Sequence, residues 1–436
     1  MTTPPDLRIV RLSAADHDEV LRLDQAAFAF DPAMAAEATE RLEWDRAWAA
    51  VRPAAGPHQR TSSTAWGADE ELAGQYLVYT LDLAAPGFGS ATRRVPMAGL
   101  TWVAVHPDHR RRGVLTELIR HHLDGLHEEG LEPISGLFAS EAVIYQRFGY
   151  GGAAPAVRLT IPSGTRLRPL ESATGVQTQL HEAAADPALA ELADQVFVRS
   201  STRPGWVSRP PAATHYLLRD RPELHRGSEP KKVLVATSGA QPDGGMTGYA
   251  VLRRTAAWKD GAPNGTVEVL ELVGTDAPTL HALWSRVLGF DLMAEVQVPL
   301  VGPDDPLLAW VEDPRSMASR RTDALWLRLV DVDRALVARG YAHDLDVVLD
   351  VHDELCPWNA RRWRLAVAGE QVGCEPTSGP ADVTLDVRDL AAAYLGGPSI
   401  ASLAAAGIVV EERAGAVAAL SSAMRGLVEP GVPPMF

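Results

Sequence analysis

The chain has 436 residues, 46% hydrophobic and 22% charged, with a formal net charge of −15. At roughly 100–200 residues per domain this is two to four domains, with cores large enough to need no metal or disulfide staple. The acidic balance disfavours nucleic acid, whose phosphates demand a basic face, and favours cationic small molecules.

No apolar run approaches the roughly 18 residues of a membrane span, and the first ten residues lack the apolar core of a secretory leader. Cys356 and Cys374 stand far apart without a CxxC or histidine spacing, so no metal and no disulfide framework is expected. A reduced cytoplasmic compartment is the natural setting.

Along the chain, residues 16–30 carry Val20, Leu21, Leu23, Ala27 and Phe28 at helical spacing. A second helical stretch is expected over 35–50, with Trp44 and Trp48. A Pro/Gly/Ser-rich segment (52–63) precedes a strand at 75–83. The run Pro86-Gly87-Phe88-Gly89-Ser90 is turn chemistry, and a second strand at 95–105 is stopped by Pro107. A helix begins near Arg112. Its Leu115, Leu118, Ile119, Leu123 and Leu126 share one face, and Gly130 suits its C-terminal cap. Residues 134–138 read as a short buried strand, and Ser140 as the N-cap of the next short helix.

Residues 162–165 read as a linker. Strands at 233–236, 248–252, 266–272 and 292–298, with a helix at 278–288, then repeat the order of the first unit. Gly302-Pro303-Asp304-Asp305-Pro306 breaks that pattern. The last unit reads as a strand, a helix at 331–339, strands at 345–351 and 363–367, and Ala-rich helices from 390. Domains are therefore expected at 1–160, 161–315 and 316–436, in an α/β (α+β) fold.

The chemistry concentrates in Val103-Ala104-Val105-His106-Pro107-Asp108-His109-Arg110-Arg111-Arg112-Gly113-Val114-Leu115-Thr116. A strand feeds an arginine-dense turn, then a glycine at a helix start. The first amides of a helix have no internal partners and the helix dipole is positive there, so a pyrophosphate fits. Gly113 allows close approach, and Arg110, Arg111 and Arg112 add charge. Backbone groups of Val103, Ala104 and Val105 can pair with the amide arm of such a cofactor, one amide serving as an oxyanion donor.

This segment, with Ser140-Glu141-Ala142-Val143-Ile144-Tyr145-Gln146-Arg147-Phe148-Gly149-Tyr150-Gly151 and a terminal phenylalanine, resembles the enhanced intracellular survival (Eis) family of GCN5-related N-acetyltransferases. Asp323-Ala324-Leu325-Trp326-Leu327-Arg328 and Ala338-Arg339-Gly340-Tyr341-Ala342-His343 also look like that family.

The resemblance implies two tandem acetyltransferase-type domains and a C-terminal sterol-carrier-protein-like domain. It implies acetyl-CoA as co-substrate without a metal, and a hexamer. It implies Tyr145 as general acid to the departing thiolate, and the α-carboxylate of Phe436 as acceptor of the amine proton. Ser140 and Glu141 would flank the cofactor. Trp44, Trp48 and Trp102 would line the amine pocket, with Asp31 near its mouth.

One departure concerns the residue before the terminal aromatic. It is acidic in aminoglycoside-acetylating members and is Met435 here. The second domain's Thr275-Asp276-Ala277-Pro278 helix start has no arginine cluster, so no cofactor site is expected there. The substrate would be an amine of a cationic small molecule (aminoglycoside, polyamine or similar) or a lysine side chain. The competing reading is a non-catalytic lipid- or drug-binding protein with a vestigial acetyltransferase fold.

Overall fold

The computed structural model describes residues 6–29, 39–54, 66–67, 69–183, 187–210, 213–239, 245–432 and 435–436. Its contacts define two compact units. One is drawn from residues 1–153, 325–425 and 435–436, the other from 154–324 and 426–434.

In the first unit β1 (Arg8–Arg11), β2 (Ala47–Pro53), β3 (Glu70–Pro86) and β4 (Thr92–Val105) form an antiparallel run. The β3–β4 hairpin closes where the turn residues predict, with Gly87 N–H donating to Ala91 O at 2.9 Å. β5 (Ile134–Phe138) pairs in parallel with β4. Its other edge is covered by an antiparallel strand, Ala318–Leu329, through Leu325–Leu329.

α1 (His17–Phe28) and α2 (Val114–Glu129) arise from the two apolar periodicities. α2 buries Leu118, Ile119 and Leu123 completely. Each such side chain supplies about 1.5–3 kcal/mol. Gly130 adopts the left-handed C-cap conformation its position suggests.

The helix expected over 35–50 is corrected in part. Residues 35–38 lie outside the described set, and Ala47–Pro53 is β2. Helix propensity favours alanine by only tenths of a kcal/mol over most residues. Here Ala47, Ala49, Ala50 and Val51 are fully buried between two hydrogen-bonded neighbours, so tertiary pairing wins. Ser140 is not an N-cap either. Glu141 holds that position ahead of α3 (Ala142–Tyr145), without a side-chain cap bond.

The second unit has a sheet in the order Gly151–Pro162, Met293–Val301, Gly265–Gly274, Met246–Thr255, Lys232–Ser238, Val176–Glu182. Helix Ala277–Leu288 closes its core through Leu283, Trp284 and Val287. Residues 162–165 form a fixed turn, not a linker. Ser163 N–H donates to Ala294 O and Gly164 N–H to Leu288 O, both at 2.9 Å, and Gly164 has φ +79°.

Residues 325–425 add a five-stranded sheet in the order Gln371–Pro376, Arg362–Ala368, Leu345–His352, Val383–Asp386, Val410–Glu411. The first and the last two of these strands escape the sequence reading. Gln371–Pro376 is a hairpin return after Gly369 (φ +58°), and the last two are short.

The segment is anchored by a fully buried Arg328. Its guanidinium donates to Asp353 Oδ2 at 2.6 Å and to Leu329 O at 2.9 Å. It also lies against Gly149, where an added Cβ would come within 2.8 Å of Nε. Arg339, equally buried, donates instead to the carbonyls of Gly340, Tyr394 and Met424.

Candidate active site

The cofactor-type turn and the chain's last residues meet at one cavity of about 960 Å³ in the first unit. It opens because β4 and β5 pair only over Met97–Gly99 and Ile134–Gly136. A β-bulge then redirects β4. Leu77 opposes Thr101 and Gln75 opposes Ala104, so Trp102 and Val103 share the place opposite Tyr76. Trp102 takes φ +51°, a strained conformation for a bulky residue. The bulge puts Trp102, Val103, Ala104 and Val105 on the cavity wall.

At one end of the cavity is the start of α2. The first helical backbone bond runs from Glu117 N–H to Gly113 O, so the amides of Val114, Leu115 and Thr116 precede it. Gly113 (φ +84°) contributes no side-chain cap, and Arg111 is also left-handed (φ +62°). Left-handed residues on either side of Arg112 curve the backbone into an amide concavity suited to an anion. Residues 113–116 line the cavity.

The three arginines divide the work. Arg111 borders the cavity from an exposed position, and Arg112, also exposed, is not among the residues that line it. Arg110 borders it but is tied to backbone: its Nη2 donates to Ala27 O at 2.9 Å and its Nε to Val105 O at 3.4 Å. It braces the C-terminal end of α1, where a cation complements the helix dipole. Of the three expected arginines, Arg111 and the braced Arg110 thus border the cavity.

On the facing wall, Ser140, Glu141 and Tyr145 border the cavity. The Tyr145 ring meets Tyr150 edge-on, centroids 5.8 Å apart. Burial, and then the charge of Glu141, push its phenol up to about 12. Tyr150 is the structural partner. It is fully buried, and its hydroxyl bonds Ser135 Oγ at 2.8 Å, which in turn bonds His122 Nε2 at 2.9 Å.

The tail enters from the third side. The Phe436 ring packs edge-on against Phe138 at 5.3 Å and fills the space over Gly99, where a Cβ would lie 3.0 Å from the ring. Thr101 Oγ1 donates to Phe436 O at 3.5 Å. Met435 lines the cavity and is 69% exposed.

Comparison with known proteins bears on the family of the chain. The acetyltransferase (GNAT) domain model matches residues 8–153, a second GNAT model matches 205–330, and a sterol carrier protein domain model matches 332–435. The chain is 40% identical over 356 residues to an uncharacterized N-acetyltransferase of Streptomyces coelicolor, covering 79% of this chain and 82% of that protein. It is 31% identical over 353 residues to the N-acetyltransferase Eis of Mycobacterium tuberculosis, covering 78% and 80%. The crystal structure of Eis1 from Mycobacterium abscessus superposes with a TM-score of 0.76 at 32% identity, over 98% of this chain and 99% of that one.

The chain belongs to the Eis family of GCN5-related N-acetyltransferases. It is an enzyme of acetyl transfer to an amine, with acetyl-CoA as co-substrate, built from two acetyltransferase domains and a sterol-carrier-type domain. No helix among the described residues is long and apolar enough to cross a membrane.

The second acetyltransferase domain has a helix start of a different kind, capped by a side chain where that of α2 is not. At the start of its helix Ala277–Leu288, Asp276 Oδ1 accepts from Thr279 N–H at 2.8 Å, and Pro278 has no N–H.

Two of the expected aromatics are not among the residues that line the cavity. Trp48 lies outside the cavity, its ring 4.6 Å from His121 on α2 with Arg11 stacked over it. As part of β2 it points to the α2 side of the sheet. Trp44 sits in a 3₁₀ turn near His17, 6.2 Å between rings. Asp31 lies outside the described residues.

One acid was missed. Asp24 on α1 is 4% exposed and borders the cavity. Burial raises its carboxyl to about 6. The signal was present: Asp24 sits four residues after Val20 and beside Leu23, on the stripe that α1 buries.

Proposed function

We propose that the cavity carries out acetyl-CoA-dependent N-acetylation of a cationic small molecule or a lysine side chain. The amides of Val114, Leu115 and Thr116, with Arg111, hold the pyrophosphate. The free edge of Val103, Ala104 and Val105 orients the thioester and supplies an oxyanion donor. Asp24 and the Phe436 carboxylate draw in the substrate ammonium. The ammonium gives up one proton to water, the neutral amine nitrogen then attacks the thioester carbonyl, the C–S bond breaks with the electron pair leaving on sulfur, and the acetyl group ends on nitrogen.

The amine's surplus proton passes to the Phe436 carboxylate. A terminal carboxylate, with an ordinary pKa near 3.5, is a weak base, so it takes a proton that the attack itself makes acidic. Tyr145 faces the departing sulfur. With its phenol near 12 and a simple thiol near 8.5, complete proton transfer is uphill. Its hydroxyl acts by a hydrogen bond that strengthens as the thiolate develops.

The observation that carries this reading is the convergence of the amide cradle, Tyr145 and Phe436 on one cavity. Family resemblance supports a cytoplasmic homohexamer as the working form, which a monomeric mass by light scattering at micromolar concentration would exclude. The cradle is tested by Gly113→Val. A left-handed β-branched residue is strained there and crowds the phosphate. Calorimetry should show CoA binding lost with far-ultraviolet circular dichroism retained. Unchanged binding would remove the cradle.

A further inference from the structure

Two glycines stand side by side where β4 and β5 last pair. Gly99 and Gly136 are register partners, and neither takes a positive φ. Their backbone is ordinary strand, so torsion does not call for glycine at either place. A glycine inside a strand weakens it and often marks the close approach of another group. The approaching groups differ. A Cβ added to Gly136 would lie 2.6 Å from Met97 Sδ, a side chain of the neighbouring strand. A Cβ added to Gly99 would lie 2.5 Å from Leu81 Cδ1, and 3.0 and 3.2 Å from Cε2 and Cδ2 of Phe436. Gly99 is covered by the end of the chain.

Strand alternation gives that cover its place. Ala98 and Leu100 belong to the core beneath α2, so Gly99 opens on the other face. Tyr79, directly opposite Gly99 on β3, is 2% exposed and borders the cavity. Among Tyr79, Leu81 and Phe138, Gly99 is the low point of the wall.

Two contacts hold the terminal residue, and they are unequal. Thr101 Oγ1 reaches Phe436 O at 3.5 Å, the long limit of a hydrogen bond. The ring packs over Gly99 and edge-on against Phe138, and burying an aromatic ring contributes more than a bond of that length. The carboxylate stands where the ring puts it, and the ring stands where a Cβ is missing.

We infer that Gly99 is a positioning residue of acetyl transfer: the gap it leaves in β4 seats the Phe436 ring and so fixes the terminal carboxylate in the cavity. This rests on the role proposed above for that carboxylate. Gly99 is not itself among the residues that line the cavity, so it acts through Phe436.

The seat is tested without any amine by carboxypeptidase A, which releases a C-terminal phenylalanine only from an end it can grip. Cleavage needs the seated end to open, so the native enzyme should lose Phe436 roughly a hundredfold more slowly than a free peptide of residues 429–436. In Gly99→Ala the added methyl displaces the ring. Release should quicken by about tenfold or more, with circular dichroism and calorimetric CoA affinity unchanged. Phe436→Leu keeps the α-carboxylate on a smaller side chain. Scaled to its matching peptide, it should slow release in the Gly99→Ala chain and speed it in the parent, a reversal of sign that only contact between the two positions produces. Turnover is followed by thiol release with spermidine, 2-phenylethylamine, an aminoglycoside and a lysine peptide as acceptors. Gly99→Ala should lower kcat by roughly tenfold or more, and Phe436→Leu should restore part of that loss.

Release from the native enzyme as fast as from the peptide would overturn the seat, whether or not Gly99→Ala folds. So would a folded Gly99→Ala enzyme that releases Phe436 no faster than the parent. Faster release that Phe436→Leu does not reverse would overturn crowding as the cause. Faster release with unchanged kcat would remove Gly99 from the reaction, and the terminal carboxylate with it, while leaving acetyl transfer itself intact.

Discussion

Burial, and then the charge of Glu141, raise the phenol of Tyr145, the general acid proposed above. Its phenol, pushed up to about 12, stays protonated across the whole working range, so no loss of activity between pH 7 and 10 should trace to it. Tyr145→Phe should leave CoA affinity unchanged and lower kcat by about 10²–10⁴; equal kcat, with chemistry shown to be rate-limiting, would reduce the residue to packing.

Asp24 makes the opposite case, a group whose charge opposes the fold that holds it. Its folded carboxyl lies at about 6 against an ordinary 3.8. Between about pH 4 and 6 the unfolded chain releases a proton that the folded chain keeps, so stability falls as pH rises through that window. Asp24→Asn escapes the penalty. It should be more stable than the parent in urea melts at pH 7.5, by up to about 3 kcal/mol, and no more stable at pH 3.5. Amine KM should rise at least tenfold in the same variant. Equal urea midpoints at pH 7.5 would show that the carboxyl is not strained.

At the scale of elements, the tail is the unusual device: the final side chain fills the space over Gly99 and carries the terminal carboxylate with it. A short extension after Phe436 moves that charge while leaving α2 and its amides in place. CoA binding and thermal midpoint should survive, and acetyl transfer should fall at least tenfold. Full turnover in the extended enzyme would end the terminal-carboxylate assignment.

The legible elements are those whose signal is local. The spacing of α2, the glycine after it, the β3–β4 turn and the arginine–glycine turn could all be read residue by residue. β2 could not, because alanines that suit a helix become strand only when two neighbours bond their backbones. The bulge at Trp102 depends on register with β3, which no local pattern states. Trp48 was misassigned with β2, since a two-residue period sends it to a different face from a helical one. Asp24 was legible and passed over: an acid on an apolar stripe is itself a signal.

At the scale of the whole molecule, the first unit is discontinuous in sequence, with residues 154–324 intervening between its two main parts. β5 gains its second neighbour only through Leu325–Leu329. A chain being made on a ribosome therefore presents β5 with one edge unsatisfied while the intervening residues are added. At about 5–20 residues per second that wait is roughly 10–30 s. An open strand edge is a template for pairing with another chain, so premature termination is the hazard this topology carries. A product ending at residue 324 should aggregate and fail to bind CoA even though it contains every residue of the cradle. A soluble, CoA-binding 1–324 fragment would show that the N-terminal domain closes without its late-arriving strand. Expression tuned to slow elongation over 154–324 should lower the yield of intact enzyme for the same reason, and a nascent-chain chaperone that shields strand edges should restore it.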